Sequence, residues 1–178
     1  MKSDQELIEA INNSRHDAFE VLYYRYRDWI FNLAWRFTGN QHDALDVLQE
    51  TFTYFLGKFP GFVLTSSLTT FLYPAVKHIS LNIRKKSQRF SSENDILAEI
   101  TDPKENRTED GNSGELAAVL QILPDELLEI LLMKYFDQMS QEEIAEALKI
   151  PVGTVKSRLY RALQTLREDS GTKSYFLD

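Results

Sequence analysis

Between positions 153 and 168 the sequence carries Lys156, Arg158, Arg161 and Arg167, with no carboxylate before Glu168. Thr154, Ser157 and Tyr160 are interleaved among them. Ammonium and guanidinium groups neutralise phosphates or reach guanine edges, and hydroxyls serve either, so this set suits a nucleic-acid duplex. Val155, Leu159, Ala162, Leu163 and Leu166 recur at helical spacing and turn a different side inward. Thr154, Lys156, Ser157, Arg158, Tyr160 and Arg161 are therefore the candidate DNA-contacting residues of this stretch. The alternative for such a run is an ordinary solvated helix face.

Two further charged sets stand out. Asp43, Asp46, Gln49 and Glu50 fall on the outer side of a predicted helix, near its start, where negative charge suits the helix dipole. This face is either solvated or turned to a partner, and spacing alone names none. Arg84, Lys85, Lys86 and Arg89 form a basic cluster at a helix C-terminus, favourable for the dipole and suited to phosphate. No paired acids, nucleophile with base, glycine-rich phosphate loop or metal cluster is visible. His16, His42 and His78 lie far apart, and zero cysteines exclude thiolate zinc sites and disulfides. The expectation is a protein without catalytic residues, cofactor or metal.

The basic stretch is positioned by a predicted helix-turn-helix. Ser140 and Glu143 form a capping box that opens a helix carrying Ile144, Ala145 and Leu148, and Pro151 with Gly153 marks the turn. Upstream, Pro124 suits a first helical position, and 127–136 is apolar nearly all round, as the centre of a small domain would be. A short helix is expected at 115–123.

The N-terminal part reads as four helices. Ser3 and Glu6 cap the first, which ends near Asn12 and Asn13. A longer one runs from about Asp17 to Thr38, its aromatic stripe facing a core, and Gly39 stops it. Asn40 starts the third, which reaches about Lys58 with Ala44, Val47, Leu48, Thr51, Phe52 and Phe55 inward. The loop at 59–66 is unusually apolar at Phe62, Val63 and Leu64, so something should cover it. The fourth helix spans about 67–86, with Pro74 expected to kink or split it.

Residues 90–115 hold eight acids against two bases and read as a flexible acidic linker, with a brief helical turn at Ile96, Leu97 and Ile100. The expected fold class is all-α: two small helical domains, 1–88 and 114–170, joined by a flexible acidic linker at 89–113 and followed by a tail at 171–178. The 178-residue chain is 43% apolar, enough for real cores, and shows neither a signal peptide nor a membrane span. A cysteine-free chain suits a cytoplasmic location. Its net charge of −7 argues against a standalone binder of a polyanion and fits one held on DNA by a partner.

Taken together, the motifs resemble an extracytoplasmic-function (ECF) sigma factor, a small two-domain bacterial transcription initiation factor. The resemblance rests on DALDVLQETF at 43–52, TFLYPAVKHISLNIRKK at 70–86, and the stretch from LPDELLEILL to KSRLYRAL at 123–163. It implies that 1–88 corresponds to sigma region two and 114–170 to region four. It further implies that Asp43, Asp46, Gln49 and Glu50 dock on the clamp helices of the RNA polymerase core's largest subunit. Lys156, Ser157, Tyr160 and Arg161 match positions that read the minus-35 element of promoter DNA. The loop at 62–70 matches the segment that captures an unstacked minus-10 base, and Lys77, Arg84 and Lys85 lie on the helix beside the melting duplex. Many members are held inactive by an anti-sigma factor. The chain departs from the family at Leu45, usually an acid, at Phe71, commonly tryptophan, and at Pro74, usually basic.

Two readings follow. One is a sigma factor that functions only with RNA polymerase core. The other is an autonomous dimeric helix-turn-helix regulator, which would need a dimer seam and would bind a palindromic duplex by itself.

Overall fold

The computed structural model describes residues 2–94 and 122–168. Seven α-helices and no strand occur among them: α1 (Asp4–Asn12), α2 (His16–Thr38), α3 (Gln41–Leu56), α4 (Leu68–Asn94), α5 (Asp125–Tyr135), α6 (Gln141–Leu148) and α7 (Val152–Glu168). They fall into two compact units, α1–α4 and α5–α7.

In the first unit α2 packs against α1, α3 and α4, and α3 against α4. The capping box of α1 forms as expected, Ser3 and Glu6 each satisfying the other's backbone amide. That contact holds the Glu6 carboxyl below the usual range. Leu7 and Ile8 of α1 are buried on α2. Asp4 pairs with Arg25 and accepts from the Tyr26 hydroxyl, fixing the start of α1. Burial, reinforced by the Asp4 contact, pushes the Tyr26 phenol well above its ordinary range.

Gly39 ends α2 at φ 67°, donating its amide to the Trp35 carbonyl, a left-handed cap that glycine adopts without a Cβ penalty. The chain's two tryptophans, Trp29 and Trp35, both lie on α2. The core contains Leu22, Ile30, Leu33, Val47, Phe55 and Leu72, all fully enclosed. Enclosing one such side chain contributes about 1.5–3 kcal/mol. From the aromatic stripe, Phe19, Tyr23, Tyr26 and Phe37 are half-buried rather than central, because rings and hydroxyls of that size reach the edge of so thin a core.

α4 differs from expectation in two ways. It runs unsplit through Pro74, whose ring lies on the exposed side. Only one intrahelical amide is lost there, while buried Leu72, Tyr73 and Val76 hold both flanks on the core. It also continues to Asn94, past the expected boundary at 88, since extending a formed helix costs far less than nucleating one.

In the second unit α7 packs on both α5 and α6. Leu123, Leu127, Leu131, Ala162 and Leu166 form one cluster, and Ile130, Met133, Met139, Ile144 and Val155 are also buried. Pro124 is the N-cap of α5 rather than its first helical residue, its carbonyl accepting from Leu127 and Leu128. α5 was expected at the centre, whereas α7 is the helix that packs most extensively on both others, and the end of α5 is not enclosed: Tyr135 and Phe136 are exposed. The expected turn at Ile96–Ile100, most of the linker, the 115–121 part of the short helix and the tail at 171–178 lie outside the described residues.

Candidate nucleic-acid interface

The helix-turn-helix is built as its caps dictate. Ser140 Oγ accepts from the Glu143 amide at 3.1 Å, and the Glu143 carboxylate accepts from the Ser140 amide at 2.7 Å. α6 ends at Lys149, in the left-handed region at φ 55°. There its amide reaches the Glu146 carbonyl at 3.2 Å, and Ile150 donates to Ala145 at 3.0 Å. The Pro151 carbonyl then accepts from Thr154 and Val155, opening α7.

On α7, Val155, Leu159, Ala162 and Leu166 are buried, so the opposite side must face solvent. Lys156, Ser157, Tyr160 and Arg161 all lie there, with Tyr160 69% exposed. Thr154 is half-buried at the first turn, and its carbonyl accepts from Ser157 Oγ at 3.0 Å. The sequence placed Arg158 with this set, whereas its guanidinium pairs with Glu126 of α5 at 2.6 Å and is largely covered. Three residues after Val155 and four before Ala162, it flanks the buried stripe rather than the outward face.

The acidic face of the first unit is also assembled by a cap. Asn40 accepts from the amides of His42 and Asp43 at 2.8 and 3.2 Å, setting the start of α3. Asp46, Gln49 and Glu50 are exposed and line an open groove of about 580 Å3 with Thr53, Tyr54 and Ile79. Asp43 is set apart: it is half-buried and accepts from Ser87 Oγ of α4 at 3.2 Å. It borders a second groove of about 350 Å3, shared with Asp46, Glu50, Asn82, Ile83 and Lys86. Leu45, beside these acids, is exposed.

Lys77, Arg84 and Lys85 lie within about two turns of one another along α4. Lys77 is half-buried, whereas Arg84 and Lys85 are exposed, with Arg84 donating to the Phe37 carbonyl at 3.4 Å.

The apolar loop is covered only in part. The Phe62 ring packs on Phe55, Phe59 and Phe71, with Phe71 in turn stacked on Tyr54, and Leu64 is half-buried. Val63 stands in solvent at 71% exposure. Sequence reasoning missed the tie that fixes this loop, made by the side chain of Asn12 at the end of α1. Its signal would have been an asparagine that no helix cap uses, but its partners lie about fifty residues away.

Among the described residues no cluster of His, Asp and Glu could hold a metal, and no helix is long and apolar enough to cross a membrane.

The sigma-70 region 2 family model matches residues 22–90, and the sigma-70 region 4 model matches 113–166. The ECF RNA polymerase sigma factor SigW of Bacillus subtilis is 29% identical over 174 residues, covering 90% of this chain and 93% of SigW. Among solved structures, CnrH in complex with the cytosolic domain of CnrY superposes with a TM-score of 0.66 at 22% identity, over 92% of this chain and 94% of that one. The sigma factor RpoE of Bartonella quintana, in complex with the anti-sigma factor NepR, gives a TM-score of 0.61 at 19% identity, over 84% and 94%. These likenesses show the same fold. The chain belongs to the ECF RNA polymerase sigma factors of the sigma-70 family. It is a transcription initiation factor that directs polymerase to promoters.

Proposed function

We propose that the two units divide this work: the first docks on RNA polymerase core through Asp46, Gln49 and Glu50, and the second reads the minus-35 element through Lys156, Ser157, Tyr160 and Arg161. The observation that carries this reading is the outward face of α7, free of carboxylates before Glu168, at the exit of a helix-turn-helix. Its hydroxyls and cations suit major-groove edges and flanking phosphates. Thr154 supports its first turn, and Arg158 keeps α7 on α5 rather than reading bases. Asp43 orders the α3 and α4 junction beside the docking face.

The segment at 62–70, expected as a loop but helical from Leu68 on, receives an unstacked minus-10 base at its loop part, with Lys77, Arg84 and Lys85 along the adjoining backbone. Extruding a base costs a few kcal/mol, and a pocket that stacks or encloses it offsets that cost. The second domain is 114–170, and the first, expected to end at 88, extends through the end of α4 at Asn94. The chain performs no chemistry itself, acts in the cytoplasm where polymerase and DNA are, and is held inactive by an anti-sigma factor. The RpoE complex with NepR supports that last reading. Sigma regions 2 and 4 in one chain leave an autonomous dimeric regulator without support.

The test is transcription from a genomic-fragment library with purified protein and polymerase core, each also omitted. Specific transcripts only with both present are expected. Duplex binding by the protein alone, with no stimulation of core, would count against the reading.

A further inference from the structure

Asn12 spends its whole side-chain amide on one loop. Its carbonyl oxygen accepts from the amides of Gly61 and Phe62 at 2.7 and 3.2 Å, and its NH2 donates to the Phe62 carbonyl at 2.8 Å. Gly61 sits at φ 95°, a backbone conformation that side chains rarely adopt, so the chain turns sharply there. On the other side the Phe62 ring is seated against Phe55, Phe59 and Phe71 at 5.6, 5.6 and 4.7 Å between centroids. The loop is therefore gripped at Phe62 by backbone and ring together, and the next residue, Val63, projects into solvent.

Connecting loops are ordinarily mobile, and ordering one on binding subtracts from affinity. A loop fixed beforehand avoids that cost. The grip comes from α1, which is itself anchored by Leu7, Ile8 and the Asp4 contacts and lies before the matched region 2 segment that starts at residue 22.

We propose that Asn12 is a positioning residue for the promoter-facing loop: α1 holds 61–64 in the shape that receives the unstacked base and so assists promoter opening without touching DNA. This rests on the reading in which that loop meets the minus-10 element.

The test uses the full chain with polymerase core on the strongest fragment recovered from the transcription library, with 2-aminopurine at the unstacked position. Fluorescence reports unstacking, and competition with wild type reports core affinity. Asn12→Ala should lower the unstacking equilibrium by about 5- to 20-fold, from the loss of three contacts each of modest net value, while leaving core affinity within about twofold. Asn12→Asp keeps both acceptor contacts but turns a carboxylate oxygen on the Phe62 carbonyl where the donor was, so it should also lose unstacking. Ser3→Ala removes the cap at the far end of α1, lowers stability, and should leave unstacking unchanged.

Wild-type unstacking in Asn12→Asp or Asn12→Ala, or an equal loss in Ser3→Ala, would overturn the proposal. Should Asn12→Ala not fold, Asn12→Asp decides on the same criterion. Val63→Asp separates the two levels. A loss at Val63 with none at Asn12 removes only the positioning role, and no loss at either removes the loop's contact with the promoter as well.

Discussion

α3 and α7 present their outward faces in the same manner and with opposite charge. Each is an amphipathic helix whose start is set by local hydrogen bonds, Asn40 for α3 and the Pro151 carbonyl for α7. Each buries one stripe and exposes the other. Yet α3 shows Asp46, Gln49 and Glu50, whereas α7 shows Lys156, Ser157, Tyr160 and Arg161. At physiological salt a charge acts over about 8 Å, so the composition of a face, rather than the net −7 of the chain, decides what meets it. A face like that of α3 repels phosphate and suits a cationic protein surface. The charge total counted against DNA binding comes mostly from residues 90–115, with eight acids against two bases, and leaves the outward face of α7 cationic.

The comparison breaks most decisively at α3. Reversing Asp46 and Glu50 together to lysine replaces attraction with repulsion and should weaken core binding by about 2–4 kcal/mol. Competition against the unmodified protein for core measures it, with the thermal midpoint of the first unit unchanged. Normal core retention would mean that the α3 face is merely solvated.

On α7 the expected effect is smaller. Arg161→Ala should cost about 1–3 kcal/mol in upstream-element recognition. Run-off transcription on promoters mutated one position at a time checks it, and unaltered selectivity would take Arg161 out of the reading set.

Arg158→Ala sharpens the contrast within α7 itself. It should lower the stability of the second unit by about 0.5–1 kcal/mol, the scale of a partly exposed ion pair, while promoter selectivity stays as it was. A selectivity change as large as that of Arg161→Ala would return Arg158 to the DNA face.

Why the sequence disclosed some of this and not the rest follows from the range of each interaction. The capping boxes at Ser3 and Ser140, the Asn40 cap and the Gly39 stop each involve groups within four residues, so type and spacing sufficed. The buried stripe of α7 was legible for the same reason. Its flank was not, because the Arg158 partner sits one helix away, and a residue beside the stripe can turn inward or outward with equal periodicity. The Asn12 tie reaches even farther along the chain. Composition misled at the end of α4, where serines and asparagine read as linker although a growing helix tolerates them. At Pro74 tertiary packing outweighed the local penalty far enough to keep the helix unsplit.

The placement of both indoles on α2 has a practical spectroscopic consequence. Tryptophan emission reports only the first unit, so its denaturation curve is blind to the second, which holds Tyr135 and Tyr160 but no indole. If the two units melt independently, far-ultraviolet ellipticity and indole emission will trace transitions that do not coincide, and one folding constant will not describe the chain. A mutational effect on α7 has to be followed by ellipticity or tyrosine signal, because the more convenient fluorophore would register nothing.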